Sequence, residues 1–244
     1  MSIKGFVQKL IFGPKACSAT YVAHLRSLGM VIGDNSIIYS PHYCTIDETR
    51  PWMIELGDNV SITKGVTILT HGYDWSVFKG MHGDVLGSAG RVKIGSNVFV
   101  GMNSTILKGV TIGDNVIIGA NSLINKDVPD NSVIVGNPQR IVMDIDSYLK
   151  KRHEAQIDEA FELYKCWRCN SPEGRAGAKA PKEIFDEFFW LFEDVPDTNE
   201  FDVPAFNYKM KLCGTCEKSW ELFRSTKKPF DDYEAFLEYL DSML

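Results

Sequence analysis

Residues 94–129 read in sixes as IGSNVF, VGMNST, ILKGVT, IGDNVI, IGANSL and INKDVP. The same frame runs upstream from Ile32 as IGDNSI, IYSPHY, CTIDET, RPWMIE, LGDNVS, ITKGVT and ILTHGY, and twenty residues, Asp74 to Lys93, then break it. Across these thirteen hexads the first position is Ile, Leu or Val in eleven and the fifth is Ser or Val in nine, so one unit is being repeated. The hexads beginning at Cys44 and Arg50 fit poorly. A short strand plus a corner takes one hexad, and three hexads close a triangular coil, the architecture that such a repeat specifies. The leading aliphatics then point inward and stack at a spacing of eighteen residues: Ile94 on Ile112, Val100 on Ile118, Ile106 on Ile124. Gly, and Asn at 97, 103, 115 and 121, supply the positive φ of the corners. Coils about 4.8 Å apart make a prism. A sandwich of alternating strands would not keep a six-residue frame over this distance.

The stretch VTIGDNVIIGANSLINKDVPDNSVIVGNP, residues 110–138, resembles the hexapeptide-repeat acyltransferases, nearest to the galactoside, maltose and xenobiotic acetyltransferases. The resemblance covers residues 32–142 and implies a left-handed parallel β-helix. The hand comes from the resemblance alone, since crossovers between parallel strands are usually right-handed. It further implies a homotrimer with active sites between neighbouring prisms, and acetyl-CoA as acyl donor.

Around this mainly β core the chain divides into a segment 1–31 with a capping helix, the repeat domain 32–142 with an external loop 74–93, and an α-helical extension 143–244. Ser18 to Leu28 reads as a short helix capped by Ser18, with Tyr21, Leu25 and Leu28 on one face, plugging the first coil. Helical spacing returns from Ser147 to Lys165. A second helix is expected to start at Pro181 and to carry Ile184, Phe185, Phe188, Phe189 and Phe192. Shorter helices are expected through Trp220 and Phe223, and through Tyr233, Phe236 and Leu240.

The formal charge of -6, with no basic stripe, points away from nucleic acid. No apolar run approaches the roughly 18 residues of a membrane span. Apolar stretches beside Lys4 and Lys9 are too broken for a signal peptide. Residues 1–14 are therefore expected in the mature protein, and the cytoplasm is the expected compartment. The six cysteines are expected as free thiols. The pairs Cys166/Cys169 and Cys213/Cys216 have zinc-type spacing within each pair, but forty-three residues separate the pairs, well beyond the roughly 15–20 of common zinc ribbons, so no metal is expected.

His71 lies in the last hexad before the long loop, where the family resembled places its catalytic histidine. A base is needed there, because a hydroxyl must lose its proton as its oxygen attacks a thioester, and imidazole titrates near neutrality. Asp74 is the candidate for orienting the ring. Asp47, Asp74, Trp75 and His82 are the candidate acceptor contacts, with Tyr73 and Phe78 as further aromatic surface in the loop. Arg50 occupies a position that should be buried and aliphatic, so its coil is expected to bulge or to face the site. By resemblance, Met102, Ala120, Asn125, Lys126 and Arg140 bind the coenzyme, and Lys108 stacks above Lys126. The expected activity is acetylation of a small hydroxylated acceptor, a sugar or glycan precursor, by direct transfer. The alternatives are N-acetylation of an amino sugar, acetylation of an antibiotic, and a non-catalytic trimeric scaffold. A metal hydratase on the same fold would need three gathered histidines, and only His71 and His82 lie close in sequence.

Overall fold

The computed structural model describes residues 3–244, without the side chains of residues 3–6 and 9. Lys4 and Lys9, on which the reading of the N-terminus rests, have their side chains outside the described residues. The chain forms two units, Met1–Tyr148 and Leu149–Leu244.

In the first unit, helices α1 (Ile3–Phe12) and α2 (Ser18–Ser27) precede the strands. The first coils contain β1 (Val31–Ile32), β2 (Ile37–Ile38), β3 (Thr45–Ile46), β4 (Ile54–Leu56), β5 (Ser61–Ile62) and β6 (Thr67–Ile68). After the loop helix α3 (Trp75–His82) come β7 (Val92–Ile94), β8 (Val98–Val100), β9 (Thr105–Ile106), β10 (Thr111–Ile112), β11 (Val116–Ile118) and β12 (Leu123–Ile124). The run closes with β13 (Ser132–Val135) and β14 (Arg140–Asp144). Up to β12 every third strand joins the same parallel sheet, and β13 then extends the second: β1-β4-β7-β10 on the first face, β2-β5-β8-β11-β13 on the second, β3-β6-β9-β12 on the third. That is the triangular prism the hexads specify.

The registers place Ile94 beside Ile112, Val100 beside Ile118 and Ile106 beside Ile124, as the eighteen-residue spacing requires. Three buried columns result: Ile32, Leu56, Ile94 and Ile112; Ile38, Ile62, Val100, Ile118 and Ile134; Ile46, Ile68, Ile106 and Ile124. Each side chain so buried contributes about 1.5–3 kcal/mol. The corner asparagines 97, 103, 115 and 121 all have φ between 56° and 59°. Two of them ladder along an edge, with Asn97 Nδ2 donating to Asn115 Oδ1 (2.8 Å) and Asn115 Nδ2 to Asn131 Oδ1 (2.9 Å).

The poor hexads are where the coil departs from eighteen residues. Ile32 pairs with Leu56, a step of twenty-four, because 3₁₀ turns at Pro41–Tyr43 and Pro51–Met53 add residues to two corners. Ile46 takes the inward place on the third face, and Arg50 sits in the widened corner before Pro51. The interrupting loop holds α3 and is pinched at its base, with Gly90 N donating to Thr70 O and Gly72 N to Ser88 O. Strand pairing resumes at Val92, two residues before the frame's Ile94.

Helix α2 plugs the first coil with Tyr21, Val22 and Leu25, whereas Leu28 is exposed. Its N-cap is Cys17, and Ser18 Oγ instead accepts from Ile38 N at 2.9 Å. At the other end β14 folds back antiparallel on β13, which carries the first unit past residue 142.

The helix expected from Ser147 is α4 (Ile145–Asn170), and most of it belongs to the second unit. That unit continues with α5 (Pro172–Arg175), α6 (Pro204–Lys211), α7 (Cys216–Ser225) and α8 (Tyr233–Ser242), and the last two match the helices expected around Trp220 and Tyr233. No single helix follows Pro181. The segment makes two 3₁₀ turns, Lys182–Phe185 and Phe189–Leu191. A straight helix would send only one stripe into the core, whereas here Phe185, Phe189, Leu191 and Phe192 are all buried, in a cluster with Phe206, Trp220 and Phe236.

Candidate active site

Strands β3 and β6 are neighbours on the third face, with Ile46 opposite Ile68, so the corners that follow them meet. One corner brings Asp47 and Thr49, the other Thr70 and His71. Asp47 is 7% exposed. Its Oδ1 accepts from Thr49 N (3.0 Å) and Thr49 Oγ1 (2.6 Å). Its Oδ2 accepts from Thr70 N (3.3 Å), from the Thr70 hydroxyl, and faces His71 Nδ1 at 2.7 Å. Burial by itself would raise the carboxyl pKa, but the hydrogen bonds from Thr49, Thr70 and His71 outweigh it and hold the group well below the usual carboxylate range. Asp47 is therefore an anion at neutral pH and only accepts. That makes Nδ1 of His71 the protonated nitrogen and leaves the lone pair of Nε2 for chemistry.

The edge of the His71 ring meets the Tyr73 ring, with centroids 5.3 Å apart. Both line a cavity of about 270 Å³ with Thr49, Arg50, Gly72, Trp75, Gly87 and Ser88. The loop thus supplies one wall and the widened Arg50 corner the other.

Residues 91–126 match the family model described as bacterial transferase hexapeptide (six repeats). Protein CapG of Staphylococcus aureus is 44% identical over 127 residues, which span 52% of this chain and 73% of that protein. The chain belongs to the hexapeptide-repeat acyltransferases. The putative acetyltransferase YvoF of Bacillus subtilis is 36% identical over 112 residues, 46% of this chain and 57% of its own length. A maltose O-acetyltransferase of Clostridium difficile superposes over 52% of this chain and 75% of its own, with 31% identity and a TM-score of 0.38.

Within this hexapeptide-repeat acyltransferase the structure reassigns several of the residues singled out from sequence. Asp47, a candidate acceptor contact, has both oxygens occupied by two threonines and His71, and its side chain is only 4% exposed. The contact to the His71 ring expected of Asp74 is made by Asp47, because the strand register puts residues 24 apart in sequence side by side. Asp74 stands at the head of α3, packed near Gly72, and does not line the cavity. His82 lies in the last turn of α3, exposed and outside the lining. Trp75 does line it. Thr49, Thr70 and Ser88 were missed. The Thr-His step at 70–71 was the one available signal, and it becomes informative only once β3 is aligned with β6.

The residues matched to coenzyme contacts flank the third face. Met102 and Ala120 occupy consecutive corners at one edge, where Asn121 N donates to Met102 O at 2.8 Å. Asn125 and Lys126 occupy the other edge, below His71. Their backbone N–H groups both donate to Gln139 Oε1, at 2.9 and 3.3 Å, so those amides are already engaged. Arg140 is exposed at the start of β14, its guanidinium against Gly136. Lys108 lies in register with Lys126, but its ammonium donates to the Ser88 hydroxyl at the cavity wall. Cys166, Cys169 and Cys213 are exposed and Cys216 is half-buried, all as free thiols. Among the described residues no three His, Cys, Asp or Glu side chains gather to hold a metal, and no helix is long and apolar enough to cross a membrane.

Proposed function

We propose that the protein is an acetyl-CoA-dependent O-acetyltransferase acting on a sugar or glycan precursor, with His71 as general base. The observation that carries this reading is the Asp47–His71 pair at the wall of a cavity shaped by the loop that interrupts the repeat. An acceptor hydroxyl in the cavity gives its proton to His71 Nε2 while its oxygen bonds to the thioester carbonyl carbon. The tetrahedral intermediate then collapses, the carbon–sulfur bond breaks, and the imidazolium returns the proton to the departing thiolate. The products are the acetyl ester and free coenzyme A. Asp47 steadies the imidazolium through the intermediate, as a buried carboxylate does for a catalytic histidine.

Met102, Ala120, Asn125, Lys126 and Arg140 are the proposed coenzyme contacts, with the two cations assigned to the phosphate groups. Tyr73 and Trp75 offer aromatic faces to a sugar ring. Tyr73, Val77, Phe78, Met81, Val85 and Leu86 leave an exposed apolar surface on the loop, which suits burial against a neighbouring prism in a homotrimer with shared sites. The proposed compartment is the cytoplasm, which keeps free thiols reduced.

The test is release of free thiol from acetyl-CoA with a panel of sugars and amino sugars, for wild type and His71→Ala. Acceptor-dependent release in wild type, lowered at least about a hundredfold in the variant, is expected. Equal release in both proteins, or transfer confined to amines, would overturn the assignment.

A further inference from the structure

The acceptor cavity contains one charged wall. Arg50 lines it together with Thr49, Tyr73, Trp75 and Ser88, and none of its lining residues is an acid. Of the carboxylates just before it in the chain, Asp47 is committed to Thr49, Thr70 and His71, and Glu48 to Tyr21, His24 and Lys15. Among the described residues Arg50 enters no ion pair, although it is half-buried. It is held there by the chain, because the following Pro51 starts the 3₁₀ turn that widens this corner. A guanidinium partly removed from water and lacking a counter-ion is costly unless something anionic arrives. Arginine's planar fork matches a carboxylate or phosphate through two parallel N–H···O bonds.

We infer that Arg50 selects an acidic acceptor, a sugar bearing a carboxylate such as a uronic acid, and holds that carboxylate while a ring hydroxyl faces His71. This rests on the acetyltransferase reading above and narrows its substrate class. Charge decides between carboxylate and phosphate ester. A phosphate monoester carries about -1.5 to -2 at neutral pH and would call for a second cation in the lining. Lys108, the next nearest candidate, has its ammonium on the Ser88 hydroxyl and does not line the cavity. One guanidinium matches one carboxylate. Size agrees: about 270 Å³ is smaller than the roughly 300–1,000 Å³ of sites for drug-sized ligands and suits a single ring. Tyr73 and Trp75 offer that ring an apolar face, and the Ser88 hydroxyl keeps its proton free to donate.

The experiment measures kcat/KM at saturating acetyl-CoA for wild type, Arg50→Gln and Arg50→Lys. The acceptors are methyl glucuronide, methyl glucoside and a hexose phosphate monoester. Wild type should prefer the glucuronide. Arg50→Gln should lose about ten- to a hundredfold on it, the usual worth of charge-assisted hydrogen bonds, a larger loss than on the glucoside. Arg50→Lys, which keeps the charge without the fork, should recover part of the preference and covers the case in which Arg50→Gln fails to fold. Equal use of glucuronide and glucoside by wild type, a preference for the phosphate ester, or an Arg50→Gln enzyme that still prefers the glucuronide would each overturn the inference. The same sugars are also titrated onto the coenzyme A-loaded proteins by saturation-transfer NMR. Glucuronide contact that disappears in Arg50→Gln supports the site even where no acetyl group moves, and absent or unchanged contact overturns it.

Discussion

Asp47→Asn removes one charge and one acceptor from a position that receives five hydrogen bonds, from Thr49 N and Oγ1, Thr70 N and Oγ1, and His71 Nδ1. An asparagine has one oxygen and one NH₂, so one side of the former carboxylate must present donors to donors. With the NH₂ toward Thr70 and His71, the imidazole must accept at Nδ1. Its proton then moves to Nε2, and the base is lost. With the NH₂ toward Thr49, the tautomer survives, but the imidazolium that forms in the reaction loses its counter-charge. Two unit charges about 4 Å apart at an effective dielectric near 20 interact by about 4 kcal/mol, close to a factor of a thousand in rate. Either geometry therefore predicts a fall in kcat on the order of a thousandfold. KM for acetyl-CoA should stay within about twofold, since no proposed coenzyme contact touches Asp47. The buried unsatisfied group should also cost about 1–3 kcal/mol of stability. Steady-state thiol release, with circular dichroism to confirm the fold, is the assay. A folded Asp47→Asn enzyme retaining more than a tenth of wild-type kcat would refute the dyad.

The depressed pKa of Asp47 has a signed consequence: its contribution to stability is complete above the unfolded carboxyl value near 4 and drains as the pH falls below it. Urea midpoints should therefore fall further for wild type than for Asp47→Asn between pH 7 and about pH 3, and parallel losses would refute this. Gly101→Ala would place a Cβ 2.5 Å from Ala120 N and 2.7 Å from Gly119 C and Ile118 O, all backbone atoms, and should cost about 1–3 kcal/mol in thermal or urea unfolding. Gly80→Ala, mid-helix in α3 with nothing within 4 Å, should be neutral or stabilising by up to about 1 kcal/mol. Ile106→Ala, in the third-face column, should cost about 2–5 kcal/mol in the same experiment. Elemental analysis of the purified protein should find no stoichiometric zinc, and the helices of the second unit should survive strong chelator. One zinc per chain, lost together with helicity, would overturn that expectation.

How much of this was legible in sequence follows from the range of each interaction. A hexad carries its own inward aliphatic, its own corner and its own asparagine, so the stacking of Ile94, Val100 and Ile106 on the next coil could be read by counting. His71 was legible for the same reason, as the last residue of consequence before the frame breaks. Its partner was not. Counting back eighteen residues from His71 reaches Met53, whereas the true neighbour is Asp47. The turns at Pro41–Tyr43 and Pro51–Met53 lengthen the first coil, and nothing local states by how much until the strands pair. The aromatic run after Pro181 fails as a helix on similar grounds: Phe185, Phe189 and Phe192 suit one helical stripe, but the core also takes Leu191, which lies off that stripe, and burial outweighs helical propensity.

The sequence by itself therefore determined the repeat and the prism and singled out His71 as the candidate base, because each is set within one or two hexads. Only the tertiary structure decided which carboxylate contacts His71, that Arg50 shares a cavity with it, and that Asp74 and His82 stand outside. Those are matters of register between corners of unequal length, and register exists only once the coils are stacked.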